Sequence, residues 1–139
     1  MTEKPIKRLL ILDDNQIEQK LYRITAERSG VVDEILSFQY AEDVLDYLSA
    51  AEDLPVDCIL LDINMPRMTG HQFLETAHER FGPGFARIVY VMLTTSVEPD
   101  VQRRAEAFPV VRRFIRKPLH KDDLKEIAAI LISEAGPAL

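Results

Sequence analysis

Asp62 ends the apolar run Ile59-Leu60-Leu61, and the chain turns shortly afterwards at Pro66. A second run, Leu9 to Leu12, delivers Asp13 and Asp14. A third, Ile88 to Leu93, delivers Thr94 and Thr95, and a short fourth, Phe114-Ile115, is followed by Lys117 and Pro118. Three carboxylates, two hydroxyls and one lysine therefore stand at the ends of separate apolar segments. Carboxylate oxygens are hard ligands suited to a divalent cation such as Mg²⁺. A carboxylate can also attack phosphorus and form an acyl phosphate. If the segments are parallel strands of one sheet, these groups meet at one edge, where they could bind a cation and hold a phosphoryl group.

The elements that must position them alternate along the chain. Lys7 to Leu12, Glu34 to Phe38, Cys58 to Asp62, Ile88 to Leu93 and Val110 to Ile115 read as strands. Asn15 can cap a first helix, with Glu18 completing a capping box. Ile17, Leu21 and Ile24 then define its expected inward face. Ala41 to Ala50 is a helix with Val44 and Leu48 inward. Thr69 to about Arg80 is a third, stopped by Phe81-Gly82-Pro83-Gly84. Pro99 to Ala107 is a short fourth. Asp122 to about Ile132 is a last one, with Leu124, Ile127 and Leu131 on one face.

Five βα units with apolar strands predict an α/β fold, a doubly wound five-stranded parallel sheet between two helical layers. Order 2-1-3-4-5 gives a flavodoxin-like (βα)5 three-layer sandwich. Ligands in such sheets bind beyond the carboxyl ends of the strands, at the switch point. Here that lies between the strands ending in Asp13-Asp14 and in Asp62.

A chain of 139 residues suits one core. No apolar run nears the roughly 20 residues needed to span a bilayer. The start, Met1 to Pro5, lacks the apolar stretch of a signal peptide, so a cytoplasmic protein is expected. The one cysteine, Cys58, excludes an internal disulfide and reads as an inert buried thiol. Net charge is −6, unevenly spread: residues 1–70 hold seven basic and fourteen acidic side chains, and residues 71–139 ten and nine. Basic residues cluster late, at Arg103, Arg104, Arg112, Arg113, Arg116 and Lys121. An acidic chain without a recognition-helix motif argues against a nucleic-acid partner.

The order Asp13-Asp14, Leu61-Asp62-Ile63-Asn64-Met65-Pro66, Gly70, Thr94, Lys117-Pro118 resembles the receiver domain of two-component response regulators over essentially the whole chain. The resemblance implies a phosphoacceptor at Asp62 and Mg²⁺ bound by Asp13, Asp14, Asp62 and the backbone carbonyl of Asn64. Asp14 would bind the ion directly and Asp13 largely through water. It implies that Lys117 pairs with Asp62 before modification and with the phosphoryl group after it. Thr94 and Phe114 would act as the switch pair, and Pro66, Gly70 and Pro118 would shape the turns, Pro118 after a cis bond. It implies one receiver over residues 1–139 with a core of about 6–134, no output domain, and a sensor histidine kinase or phosphotransfer protein as donor. The downstream protein is undefined, and a homodimer through the fourth helix, fifth strand and fifth helix is an expectation. The basic residues of that face would meet an acidic partner.

Each residue also has a plainer reading. Asp13-Asp14 could be a turn and cap pair, Asp62 a turn cap, Thr94 a strand residue, Lys117 a solvated lysine and Phe114 core packing. His71, His78 and His120 match no metal spacing and read as surface residues. Met65 and Met68 read as loop packing. One rival function is a haloacid-dehalogenase-type phosphatase with Asp13 as nucleophile, but it needs an acid where Asn15 stands. Another is a binding-only pseudo-receiver, which should have lost an acid or the lysine.

Overall fold

The computed structural model describes residues 4–50, 56–93 and 99–135. In chain order the elements are β1 (Ile6–Leu12), α1 (Gln16–Ser29), β2 (Val32–Phe38), α2 (Ala41–Ala50), β3 (Cys58–Asp62), α3 (Gly70–Phe81), β4 (Ile88–Leu93), α4 (Pro99–Glu106), β5 (Val111–Arg116) and α5 (Lys121–Ala135). The strands form one parallel sheet in the order β2-β1-β3-β4-β5. This is the doubly wound α/β architecture expected from the alternation of apolar strands and amphipathic helices.

Period-two alternation splits the central strands between two cores. Leu10, Leu12, Ile59, Leu61, Val89 and Val91 face α2, α3 and α4, where they meet Val44, Phe73, Leu74 and Ala105. Leu9, Ile11, Leu60, Tyr90 and Met92 face α1 and α5, where they meet Tyr22, Ala26, Leu124, Ile127 and Leu131. Burying both faces requires the continuous apolar runs that mark β1, β3 and β4 in the sequence. At its C-terminal end α1 closes on Gly30, whose φ of 76° is the left-handed conformation that favours glycine.

The expected inward face of α1 is a correction. Ile17, Leu21 and Ile24 are 71%, 52% and 45% exposed, while Gln19, Tyr22 and Ala26 are buried against the sheet. Two stripes compete on this helix. The small Ala26 allows close approach, the Tyr22 ring fills the space beside it, and Gln19 reaches main-chain carbonyls at the strand ends. The capping box at α1 is also only half formed. Asn15 Oδ1 accepts from the N–H groups of Ile17 and Glu18, but the Asn15 N–H donates to Asp13 Oδ1 rather than to Glu18. The complete box belongs to α3, between Thr69 and Gln72.

Two of the three histidines, His71 and His78, are only partly exposed. The rings of His71 and His78 each meet Phe108 in a T-shaped arrangement, 5.7 and 5.9 Å between ring centres, because their seven-residue spacing puts both on the same face of α3. His120 is exposed as expected. Met65 is buried in the first core, so the turn after Asp62 is anchored from beneath.

Candidate functional site

Asp13 follows the last residue of β1, Asp62 is the last residue of β3, and Lys117 follows β5. The sheet register therefore brings residues far apart in sequence to one edge. One carboxylate oxygen from each of Asp13, Asp14 and Asp62 lies within 4.8 Å of the others. Asp13 and Asp62 are almost fully buried and Asp14 is half-buried. Lys117 Nζ donates to Asp13 Oδ2 at 3.2 Å and stands 3.8 Å from Asp62 Oδ1, so the lysine bridges both acids and sits closer to Asp13. Its main-chain N–H donates to the Leu93 carbonyl at 3.0 Å, which fixes its place beside the end of β4. The Lys117–Pro118 bond is cis. Thr94 lies outside the described residues, as do Thr95 and Ser96. Phe114, on β5, is half-buried against the first core.

The turn after β3 is built tightly. Asp62 Oδ1 accepts from the Asn64 N–H at 3.2 Å, and the Gly70 N–H donates to the Ile63 carbonyl at 3.1 Å. A Cβ at Gly70 would lie 2.8 Å from the Asp62 carbonyl oxygen and 2.9 Å from Ile63 Cα, so only glycine fits here. The Met68 N–H donates to the Pro66 carbonyl at 2.8 Å. Between them Arg67 takes a φ of 70°. Its guanidinium sits 4.9 Å over the Tyr40 ring and 3.6 Å from Glu42, which ties this turn to the β2–α2 connection.

Crowding these acids out of water has a predictable effect. Burial first, then the Asp13 charge, pushes the Asp62 carboxyl up to about 7, against the pull of Lys117 and the Asn64 N–H. Burial also raises Asp13, opposed by the Asn15 N–H and Lys117. Burial alone would lower Lys117, but the Asp62 and Asp13 carboxylates outweigh it and hold the amine charged. Three carboxylates facing one another across less than 5 Å, with one lysine among them, leave surplus negative charge in a low-dielectric pocket. A hard divalent cation is the group that such an oxygen set fits, so the residues present are compatible with Mg²⁺.

Residues that sequence reasoning missed surround the site. Gln19 lies directly beneath Asp13. The Tyr22 phenol is buried, and burial together with the Asp13 and Glu18 charges pushes its ionisation up, so it stays neutral. No motif flags either one; only the rotation of α1 reveals them. On the opposite flank half of the basic cluster is paired within the chain. Arg103 pairs with Asp100, Arg112 with Glu134, and Arg113 with Glu126, which also accepts the Tyr90 hydroxyl at 2.8 Å. Arg104, Arg116 and Lys121 are exposed and make no ion pair among the described residues.

This fold and pocket define a class, the receiver domains. The family model described as "Response regulator receiver domain" matches residues 9–129, and the chain belongs to that family. It is 32% identical over 121 residues to the probable methanogenesis regulatory protein FilR2 of Methanothrix harundinacea, covering 84% of this chain and 76% of that protein. It is 29% identical over 135 residues to the sensory/regulatory protein RpfC of Xanthomonas campestris, covering 94% of this chain but only 18% of that protein. A crystal structure of a two-component response regulator from Cytophaga hutchinsonii superposes with a TM-score of 0.80 at 27% identity, covering 92% of this chain and 98% of that one. Receivers of this family serve two-component signalling. Among the described residues no helix is long and apolar enough to cross a membrane.

Proposed function

We propose that Asp62 accepts a phosphoryl group from the phosphohistidine of a sensor kinase or phosphotransfer protein, with Mg²⁺ held by Asp13, Asp14, Asp62 and the Asn64 carbonyl. The observation that carries this reading is the cluster of three carboxylates, two of them buried and bridged by Lys117. An Asp62 oxygen attacks phosphorus as the P–N bond breaks. The bonding pair returns to the imidazole nitrogen, and an acyl phosphate forms. Only ionised Asp62 is a nucleophile, and burial beside the Asp13 charge favours its protonated form. A cation held by these acids would favour the ionised carboxylate and offset charge on the phosphoryl oxygens. Lys117 already faces Asp62 and stays charged, so it can follow the negative charge outward onto the phosphoryl group.

The donor's landing surface is the exposed stripe on α1. Ile17 lies one residue inside a helix that starts beside the acids, and Leu21 and Ile24 continue the same face. A helical donor presenting its histidine to Asp62 would cover these apolar side chains. The signal would then pass through Thr94 and Phe114, the pair that the family resemblance assigns, to α4, β5 and α5. A downstream protein or a second copy of the chain would read it there, through Arg104, Arg116 and Lys121. The test is incubation with acetyl phosphate and Mg²⁺, followed by intact mass. One added phosphoryl group that requires Mg²⁺ and is absent in Asp62→Asn is expected. Equal modification of Asp62→Asn, or modification insensitive to chelator, would overturn the reading.

A further inference from the structure

We infer that Gln19 is a positioning residue that sets the cation affinity of the acid pocket by fixing the main chain of Asp13. The inference rests on the proposed binding of Mg²⁺ by the trio of acids. Gln19 is only 8% exposed, on the face of α1 turned to the sheet. Its Nε2 donates to the Phe38 carbonyl at 2.7 Å and the Asp13 carbonyl at 2.9 Å, with the Ile11 carbonyl at 3.3 Å. Carbonyls only accept, so three of them around one end of the amide identify that end as the nitrogen. The Phe38 carbonyl also accepts the Asp13 N–H at 3.1 Å. One side chain of α1 therefore joins the ends of β1 and β2 at the residue where the chain leaves the sheet and delivers its acid.

This matters because the acids repel one another. Asp13 already commits one oxygen to the Asn15 N–H and the other to Lys117, so its carboxylate direction follows from where its peptide is held. Losing the Gln19 bonds frees that peptide to move away from Asp62, and the cation must then gather the ligands itself. Partners that orient metal ligands are worth about 10–100-fold in metal affinity. Gln19→Met keeps the length and burial of the side chain but removes both donors. Gln19→Asn keeps the amide and draws it back by one methylene, out of reach of these carbonyls.

Mg²⁺ titration by calorimetry at fixed pH reads the effect without any phosphoryl transfer. The expected result is a dissociation constant raised about tenfold in either variant. The maximal rate of labelling by acetyl phosphate should recover at saturating Mg²⁺. Ala26→Gly, a change in the same helix away from the acids, supplies the control for general loosening and should leave the dissociation constant unchanged. Wild-type affinity in Gln19→Met and Gln19→Asn, both folded by circular dichroism, would overturn the inference. So would an equal loss in Ala26→Gly. Failure of the wild-type chain to bind Mg²⁺ would instead overturn the proposed metal site, and the inference with it.

Discussion

Replacing Asp62 by asparagine should stabilise this protein in the absence of a cation, although it destroys the proposed acceptor. In the unfolded chain the carboxyl ionises near its ordinary value of 3.8, and in the fold it ionises near 7. The folded state thus holds a proton that the unfolded state gives up. Stability is full below about pH 4, falls as the pH climbs to 7, and is flat above it. A separation of about three pH units corresponds to about 4 kcal/mol, an upper bound because the pocket can relax around the charge. The carboxamide of the variant cannot ionise and escapes this cost. Lys117 keeps a partner in the variant, since its shorter contact is to Asp13. Urea unfolding in chelator should show Asp62→Asn more stable than wild type by about 2–4 kcal/mol at pH 8 and by less than about 1 kcal/mol at pH 4. Adding Mg²⁺ at pH 8 should close the gap, because the cation favours the ionised carboxylate of the wild type. A variant less stable than wild type at pH 8, or a difference independent of pH, would refute the reasoning that the acids are crowded at a cost.

Other consequences follow from the same geometry. Gly70→Ala forces a methyl group against the Asp62 carbonyl and Ile63 Cα. It should cost about 1–3 kcal/mol in urea unfolding and slow labelling by acetyl phosphate, whereas a variant matching wild type in both would show that the turn yields freely. Ile17→Ser with Leu21→Ser removes apolar surface already in water, so stability should change by less than about 0.5 kcal/mol per site. Labelling by acetyl phosphate should persist while transfer from a histidine-phosphorylated donor protein falls at least tenfold; equal loss from both donors would place the docking surface elsewhere. Burial raises the Cys58 thiol far above its ordinary range, so thiol reagents should modify it only on unfolding. Rapid labelling of the native protein would contradict that.

The sheet was legible because β1, β3 and β4 are buried on both faces and carry unbroken apolar runs that end in the acids. Their boundaries fall within a residue of expectation, and β3 and β4 match it in full. Edge strands were harder. β2 starts at Val32, two residues earlier than the apolar pattern suggests, because pairing with Ile6 recruits the acidic Asp33 into the ladder. α1 was the least legible element. An apolar stripe at helical spacing normally marks a core face, yet here Ile17, Leu21 and Ile24 point to water while a glutamine goes in. Periodicity reports that a helix is amphipathic, not which of two competing stripes the sheet accepts. That choice was made by hydrogen bonds to carbonyls more than twenty residues apart, at Ile11 and Phe38, which no local pattern encodes. The meeting of Asp13, Asp14, Asp62 and Lys117 was legible because strand ends in a parallel sheet must share an edge. The basic flank was legible only as composition, since the acids that neutralise Arg112 and Arg113 lie on α5, at Glu134 and Glu126.

The central claim is that Asp62, and neither of its two neighbouring acids, carries the phosphoryl group. Borohydride reduces an acyl phosphate and marks the modified residue permanently. Protein treated with acetyl phosphate and Mg²⁺, reduced, digested and sequenced by mass spectrometry should carry the mark at residue 62, with Asp13 and Asp14 unmarked. A mark at Asp13 would contradict the account and favour a phosphatase-like nucleophile at the end of β1. Complete absence of a mark from protein that binds Mg²⁺ would contradict it equally and leave a cation-binding receiver without phosphoacceptor chemistry.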